Sequence, residues 1–445
     1  MRKQMFVLLL LTACGDGASE DFAAEAPAPL PAVLLDDHVA QAVDSPHLPI
    51  LWIETGGRAI VPDVKSDARL RVIEDHDGTL TGLPERPASF EGRIGIEIRG
   101  NSSLMFEKAS YGLETRDAAG KSLDVALLGM PAESDWVLYA PFTDKTLVRD
   151  KVAYDLGAQL GRYQPRSRFV ELFLDGQYDG VYVVIEKIKR GKQRVDITKV
   201  APDAAAGDVT GGYIVKMDGN QASFWEPHVP KAKDLTPEQT TYLTDYLSRF
   251  ETLMTGPGFV APGYASMIDV PSFIDYLIIT ELSRNIDGYR KSTYMAKKRD
   301  ADGGLAYMGP LWDYNIAFGN ADYCEGAETT GFQYNRDACT DVLAVPTWWG
   351  RLMADPPFAN AVRCRWSSLR QGVLSNASIH ARIEGYVEQL EAAEPRDNAR
   401  WGTIGRYIWP NPFVGETYEQ EIDHLLHWID ARAAWLDANL PGTCT

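Results

Sequence analysis

The 445-residue chain carries 44 Lys and Arg against 62 Asp and Glu, a formal net charge of −18, with 45% hydrophobic residues. Apolar content at this level excludes a chain that stays unfolded for want of a core, and the acidic balance excludes a general nucleic-acid binder, whose affinity rests on clustered Lys and Arg. A local basic pocket within an acidic surface remains compatible with both observations.

At the start of the chain, Arg2 and Lys3 precede the apolar run Met5 to Leu11, and Leu11-Thr12-Ala13-Cys14 follows. A charged start, a short apolar stretch and a small-residue site predict a signal peptide over residues 1–13, too short to span a bilayer. The cysteine resembles that of a bacterial lipobox. It implies cleavage before Cys14, acylation of its thiol and a lipid-anchored, extracytoplasmic protein of the bacterial cell envelope; a plain signal peptide and a secreted protein are the alternative. Residues 14–47, rich in Ala, Pro and Asp, read as a tether. No later stretch offers about 18 consecutive apolar residues, so the lipid anchor is the expected membrane contact.

From residue 48 to about residue 219 the strand signal dominates. Apolar stretches at Ile50–Ile53, Leu70–Ile73, Ile94–Ile98, Phe169–Leu174 and Val181–Ile185 are separated by Gly and Asp turns, and Asp175-Gly176 is a hairpin signal, although the spacing between those two stretches exceeds two residues. One helix interrupts them: after Asp144-Lys145-Thr146, the residues Leu147, Val148, Val152, Leu156 and Leu160 recur at helical spacing up to Gly161. Beyond Thr236, a cap followed by Pro237, the pattern predicts helices over most of 236–254, 271–284 and 349–440, with a short strand at 293–296. The organisation is therefore a β-rich part over 48–235 and a mainly helical part over 236–445, which is α+β in class. Pockets favour such boundaries.

Besides Cys14 the chain has Cys324, Cys339, Cys364 and Cys444, an even number in an exported protein, which allows three connectivities. The expected pairs are Cys324–Cys339, closing a local loop, and Cys364–Cys444, tying the last residues to a helix. The one close histidine pair, His424 and His427, lies on an amphipathic pattern and reads as helix packing, not a zinc site. The tryptophans of the C-terminal half, Trp348, Trp349, Trp366, Trp401, Trp409 and Trp428, read as helix core in preference to a carbohydrate platform.

Three segments carry unusual chemistry. Arg99-Gly100-Asn101-Ser102-Ser103, leaving a strand, can present N–H groups and hydroxyls to an anion, with Arg99 and Lys108 adding positive charge; an ordinary turn is the alternative. In Asn285-Ile286-Asp287-Gly288-Tyr289-Arg290-Lys291-Ser292, Asp287 has the setting of a general base, with Arg290 or Lys291 beside phosphate, or of an Asp-Gly turn. In Leu311-Trp312-Asp313-Tyr314-Asn315, two oxygen ligands two residues apart in an apolar setting suit Mg²⁺ or Mn²⁺, unless Asp313 caps a turn. Their order along the chain follows the logic of protein kinases.

The chain resembles the CotH family of atypical secreted protein kinases. The resemblance runs from about Leu48 to about Gly319 and less distinctly through the helical tail. It is carried by Arg99 to Ser103 with Lys108, by Asp135-Trp136-Val137-Leu138 to Asp144-Lys145 with Arg149 to Tyr154, by Pro165-Arg166 to Phe173, by Gly180-Val181-Tyr182 to Glu186-Lys187-Ile188, by Val195-Asp196-Ile197, and by the segments around Asp287 and Asp313. It implies a two-lobed, kinase-like fold whose β-rich part holds the nucleotide. It further implies transfer of phosphate from ATP to Ser or Thr of a surface or extracytoplasmic protein, with Mg²⁺ or Mn²⁺. Asp287 would be the catalytic-loop aspartate, Asp313 with Asn315 the metal ligands, and Arg99, Asn101, Ser103, Lys108 and Arg149 the nucleotide-binding set. Glu186 would line the adenine side or hold a basic partner. Where kinases place a metal-binding Asn five residues after the catalytic Asp, this chain has Ser292, which leaves the number of metals open. Two other functions fit the same residues: a catalytically weak kinase-like scaffold for surface adhesion or assembly, and transfer of AMP in place of phosphate. The acidic surface favours a basic protein substrate, and Arg99, Lys108, Arg149, Arg290 and Lys291 are the expected cations of a basic cleft.

Overall fold

A computed structural model describes residues 47–74, 78–200, 206–218, 225–259, 263–336 and 344–444. The predicted signal peptide, Cys14, the tether up to residue 46 and Cys339, hence the Cys324–Cys339 pair, lie outside these residues. The strands β1 (Ile50–Glu54), β2 (Ser66–Ile73), β3 (Phe90–Arg99), β4 (Ser110–Arg116) and β5 (Asp135–Tyr139) are followed by helix α1 (Arg149–Gln159) and by β6 (Ser167–Leu174) and β7 (Gln177–Glu186). They close into a barrel in the order β1-β2-β3-β4-β5-β7-β6, sealed by the parallel pairing of β1 with β6. Side chains alternate across such a strand. In β7, Tyr182 and Val184 fill the barrel with Leu70, Ile94 and Trp136, while Val181, Val183 and Ile185 pack outward with α1. Burial on both faces is why this strand reads as an unbroken apolar run. The Asp175-Gly176 signal proves to be a two-residue turn, with Leu174 opposite Gln177. Both turn residues have positive φ, 49° and 81°, the requirement of a type I′ hairpin.

The second sheet takes strands from both sides of residue 235. Here β8 (Tyr213–Met217) and β9 (Glu226–Val229) precede α2 (Pro237–Thr255) and α3 (Val270–Ser283), and β10 (Thr293–Lys297) and β11 (Ala306–Met308) follow them, in the order β11-β10-β8-β9. Thr236 caps α2 through a reciprocal box with Gln239. In α3 every residue from Ser272 to Ser283 is buried, so it forms the centre of the helical part. Against it pack α4 (Trp348–Ala354), α5 (Pro356–Arg370) and α8 (Tyr418–Asn439), while α6 (Asn376–Leu390) packs on α8 and α7 (Glu394–Trp401) on β7 of the barrel. Trp348, Trp349, Trp366 and Trp428 are core residues as expected. His424 stacks on Phe413 with ring centroids 4.0 Å apart, and its burial pushes its pKa down to about 4. The expected Cys364–Cys444 bridge is present, and among the described residues no helix is long and apolar enough to cross a membrane.

Helix α7 fastens the helical part to the barrel through buried charge. Arg396 grips Glu171 with two bonds of 2.9 and 2.7 Å, Asp397 accepts from Lys108 at 2.6 Å and from the Val181 N–H at 2.7 Å, and the Trp401 indole donates to the Asp179 carbonyl at 2.8 Å. At the start of α7, burial and then the charges of Asp397 and Glu419 push the Glu394 carboxyl from 4.5 up to about 7. Folding therefore favours its protonated form. Its contribution is complete below about pH 4.5 and is lost as pH rises toward 7, at up to about 1.4 kcal/mol per unit. Glu394→Gln is expected to raise the melting temperature at pH 8 and to flatten the stability curve between these values; melting curves at pH 4.5 and 8 that shift equally would contradict this.

Candidate active site

One cleft of about 520 Å³ brings together residues from the barrel, the second sheet and the helical part, a size that suits a ligand larger than a metal ion. Its first wall is the loop after β3. Gly100 has φ 134°, and a Cβ there would meet the Ser103 hydroxyl at 1.8 Å, so only glycine lets Arg99, Asn101 and Ser103 fold around this corner. The loop after α3 supplies Asp287 and Lys291. Gly288 follows Asp287 because a Cβ would press on Thr280 of α3 at 2.4 Å, so this loop lies directly on the helix. The Asp287 N–H donates to Asn285 Oδ1 at 3.1 Å, and Arg290 Nη2 lies 3.4 Å from Asp287 Oδ1. Tyr323 and Trp409, which also line the cleft, stack at 5.6 Å, and Trp409 is 42% exposed.

At the floor of the cleft, Asp313 adopts a left-handed conformation, φ 57°. Such backbone persists where its surroundings hold it, and it concentrates at functional sites. The Asp313 N–H donates to the Tyr154 hydroxyl at 3.1 Å, the Tyr314 N–H to Asp150 Oδ1 at 2.6 Å, and Asn285 Nδ2 to the Asp313 carbonyl at 3.1 Å. Helix α1 thus holds this loop from behind. The carboxylate opens into the cleft and accepts from the Ser292 hydroxyl at 2.6 Å. Asp313 is exposed at the open cleft, yet the protein packed around it, with the charges of Asp218 and Asp287, pushes its pKa up against the opposing pull of Ser292 and Arg99. Behind it, burial and the charge of Asp313 push Asp150 up to about 7. Carboxylates crowded in this way are relieved by a cation.

The donors facing the cleft around Asp313, namely the carboxylates of Asp287 and Asp218 and the amide of Asn315, are oxygen-bearing side chains. This chemistry fits Mg²⁺ or Mn²⁺, which take one or two protein carboxylates and complete their shell with water and substrate phosphate. Among the described residues no three His, Cys, Asp or Glu side chains form a ready cage, and such an ion does not need one.

Of the residues read from the sequence, Arg99, Asn101, Ser103, Lys108, Asp287, Lys291, Asp313 and Asn315 line this one cleft. Arg99 lies over the Trp312 ring at 5.7 Å. Lys108 contributes to the wall, yet its side chain is 1% exposed, because its ammonium is bonded to Asp397 and the Val181 carbonyl. Arg149 and Glu186 are elsewhere. Arg149 pairs with Asp144 at 2.5 Å at the start of α1. Glu186 binds the Arg166 Nε at 2.9 Å and the Tyr163 hydroxyl at 3.0 Å, with Arg194 at 3.4 Å. Arg290 is buried, bonded to the Ile286 carbonyl at 2.7 Å.

Sequence reasoning missed Lys216 and Asp218, which line the cleft and pair at 2.8 Å. They end a strand that reaches the site by pairing with β10, Lys216 opposite Tyr294, and no local motif announces such a long-range pairing. Trp409, read as core, instead lines the cleft.

The sequence matches the profile described as "CotH kinase protein" over residues 96–436. It is also 21% identical over 309 residues, 68% of this chain and 77% of the relative, to the inner spore coat protein H of Bacillus subtilis (strain 168).

Proposed function

The chain belongs to the CotH kinase family, and from that premise we propose that it transfers the γ-phosphoryl group of ATP to a Ser or Thr hydroxyl of an extracytoplasmic protein. Family membership implies ATP and a protein substrate. The observation that carries the reading is the meeting of Asp287 and Asp313 in one cleft with Arg99 and Lys291, since phosphoryl transfer needs little beyond positioning and charge neutralisation.

In this reading the Asp287 carboxylate accepts the proton of the attacking hydroxyl and holds its oxygen in line with the phosphorus. Asp313 and Asn315 would hold Mg²⁺ or Mn²⁺, which when bound offsets charge on the phosphates. Ser292, bonded to Asp313, fixes the orientation of that carboxylate. Arg99 and Lys291 approach phosphate oxygens, and Asn101 and Ser103 add donors from the barrel loop. The bridge between Cys364 and Cys444 belongs to an oxidising compartment, which accords with an envelope protein anchored or exported through the predicted signal at Cys14. The chain's net charge of −18 favours a substrate rich in Lys or Arg.

The test incubates the purified protein and a basic Ser/Thr protein with Mn²⁺ and either γ-labelled or α-labelled ATP. Transfer of the γ label alone is expected. Transfer of the α label would move the assignment to AMP transfer, and no transfer with no nucleotide binding would leave a kinase-like scaffold.

A further inference from the structure

Polyphosphate recognition calls for a cation held at the reacting end of the cleft, and the lysine singled out by sequence is not placed to supply it. The Lys108 ammonium donates to the Val181 carbonyl at 2.7 Å and to Asp397 at 2.6 Å, and it faces the Tyr182 ring at 5.0 Å. Reaching a phosphate would strip Asp397 of its buried counter-ion, a large penalty. Arg99 is seated over Trp312, and Lys291 rides on the Asp287 loop.

Resting on the kinase reading above, we propose that Lys216 is the nucleotide-phosphate lysine of this cleft and that Asp218 positions it. Lys216 lies on β8, directly opposite Tyr294 of β10, so a sheet backbone carries it. Its side chain is 25% exposed and lines the cleft, and its ammonium bonds Asp218 Oδ2 at 2.8 Å. Across the sheet, the Tyr294 ring meets the Trp312 ring at 6.4 Å, beside Asp313, and Lys216, Asp218 and Asp313 all line the one cleft. Lys216 is thereby carried into the cleft that receives the phosphates of the nucleotide in the kinase reading.

A lysine ammonium has three N–H donors, so Lys216 can keep Asp218 and still donate to phosphate oxygens. The carboxylate keeps the flexible side chain in one place before the nucleotide arrives, which lowers the ordering cost of binding. Asp218 is thereby a positioning residue, and Lys216 the group that touches the ligand. Nothing in this arrangement requires Lys108 to leave Asp397.

The test titrates ATP with Mn²⁺ into the full-length wild-type protein and into Lys216→Met, Lys216→Arg and Asp218→Asn, with melting temperature as the control for folding. Lys216→Met is expected to weaken ATP binding by about tenfold or more, the worth of a charge-assisted hydrogen bond, with an unchanged melting temperature. Lys216→Arg, which keeps the charge, should recover most of the affinity, and Asp218→Asn should fall between. Wild-type affinity in Lys216→Met would overturn the proposal while leaving the kinase reading standing. A wild-type protein that binds no ATP would remove both.

Discussion

Asp287→Asn is expected to lower phosphoryl transfer by about 10²- to 10⁴-fold, the usual worth of a positioned general base, while leaving Mn²⁺-dependent ATP binding close to that of the wild type. The substitution keeps the side chain's shape and an oxygen for the Arg290 contact at 3.4 Å, but the amide cannot take the hydroxyl proton. Because Asp287 is one of the charges that raise the Asp313 carboxyl, its neutralisation also eases ionisation at the floor of the cleft. Nucleotide affinity therefore should not fall. The measurement is a single-turnover transfer rate from γ-labelled ATP beside a binding titration. An unchanged rate would deny Asp287 its role, and a rate and affinity lost together would make it a binding residue.

Lys108→Met is expected to destabilise the fold by about 3–5 kcal/mol, the cost of leaving a buried charge without its partner. The ammonium and its acceptor Asp397 are almost fully enclosed, with side chains 1% and 5% exposed. Unfolding by urea measures the loss. Adding Asp397→Asn should recover most of it, since the amide oxygen can still accept from the Val181 N–H, now bonded at 2.7 Å, and no lone charge remains. The double variant also separates two roles. If Lys108 belongs to the fastening of α7 onto the barrel, the repaired protein binds ATP as the wild type does. If Lys108 grips phosphate, its stability returns and its affinity does not.

How much of this was legible in the sequence depended on the range of the interactions involved. The strands β1, β2, β3, β6 and β7 announced themselves through apolar runs and turn residues, down to the Asp175-Gly176 hairpin, whose left-handed backbone is written in its residue types, whereas closure of the barrel by the long-range pairing of β1 with β6 did not. The cap at Thr236 and the burial of the tryptophan pair Trp348 and Trp349 were equally local or compositional. The meeting of Asp287 with Asp313 followed from family resemblance, not from spacing. Lys108 shows where such reasoning ends: its ion pair spans residues 108 and 397, and a lysine beside a Gly-Asn-Ser loop looks the same in sequence whether it faces phosphate or a distant aspartate. The same holds for Arg149 and Glu186, which both bind partners outside the cleft. Lys216 and Asp218 lacked any flag, because the pairing of β8 with β10 alone carries them to the site.

The kinase reading requires that the Asp313 cleft bind a metal-nucleotide complex, and calorimetric titration of ATP into the wild type and Asp313→Asn, each with Mn²⁺ and with chelator, measures this. The wild type should bind one ATP with Mn²⁺ and much more weakly with chelator, whereas Asp313→Asn should lose that metal dependence and, relieved of a crowded carboxylate, melt no lower than the wild type. Equal binding by both proteins, with or without Mn²⁺, would contradict it.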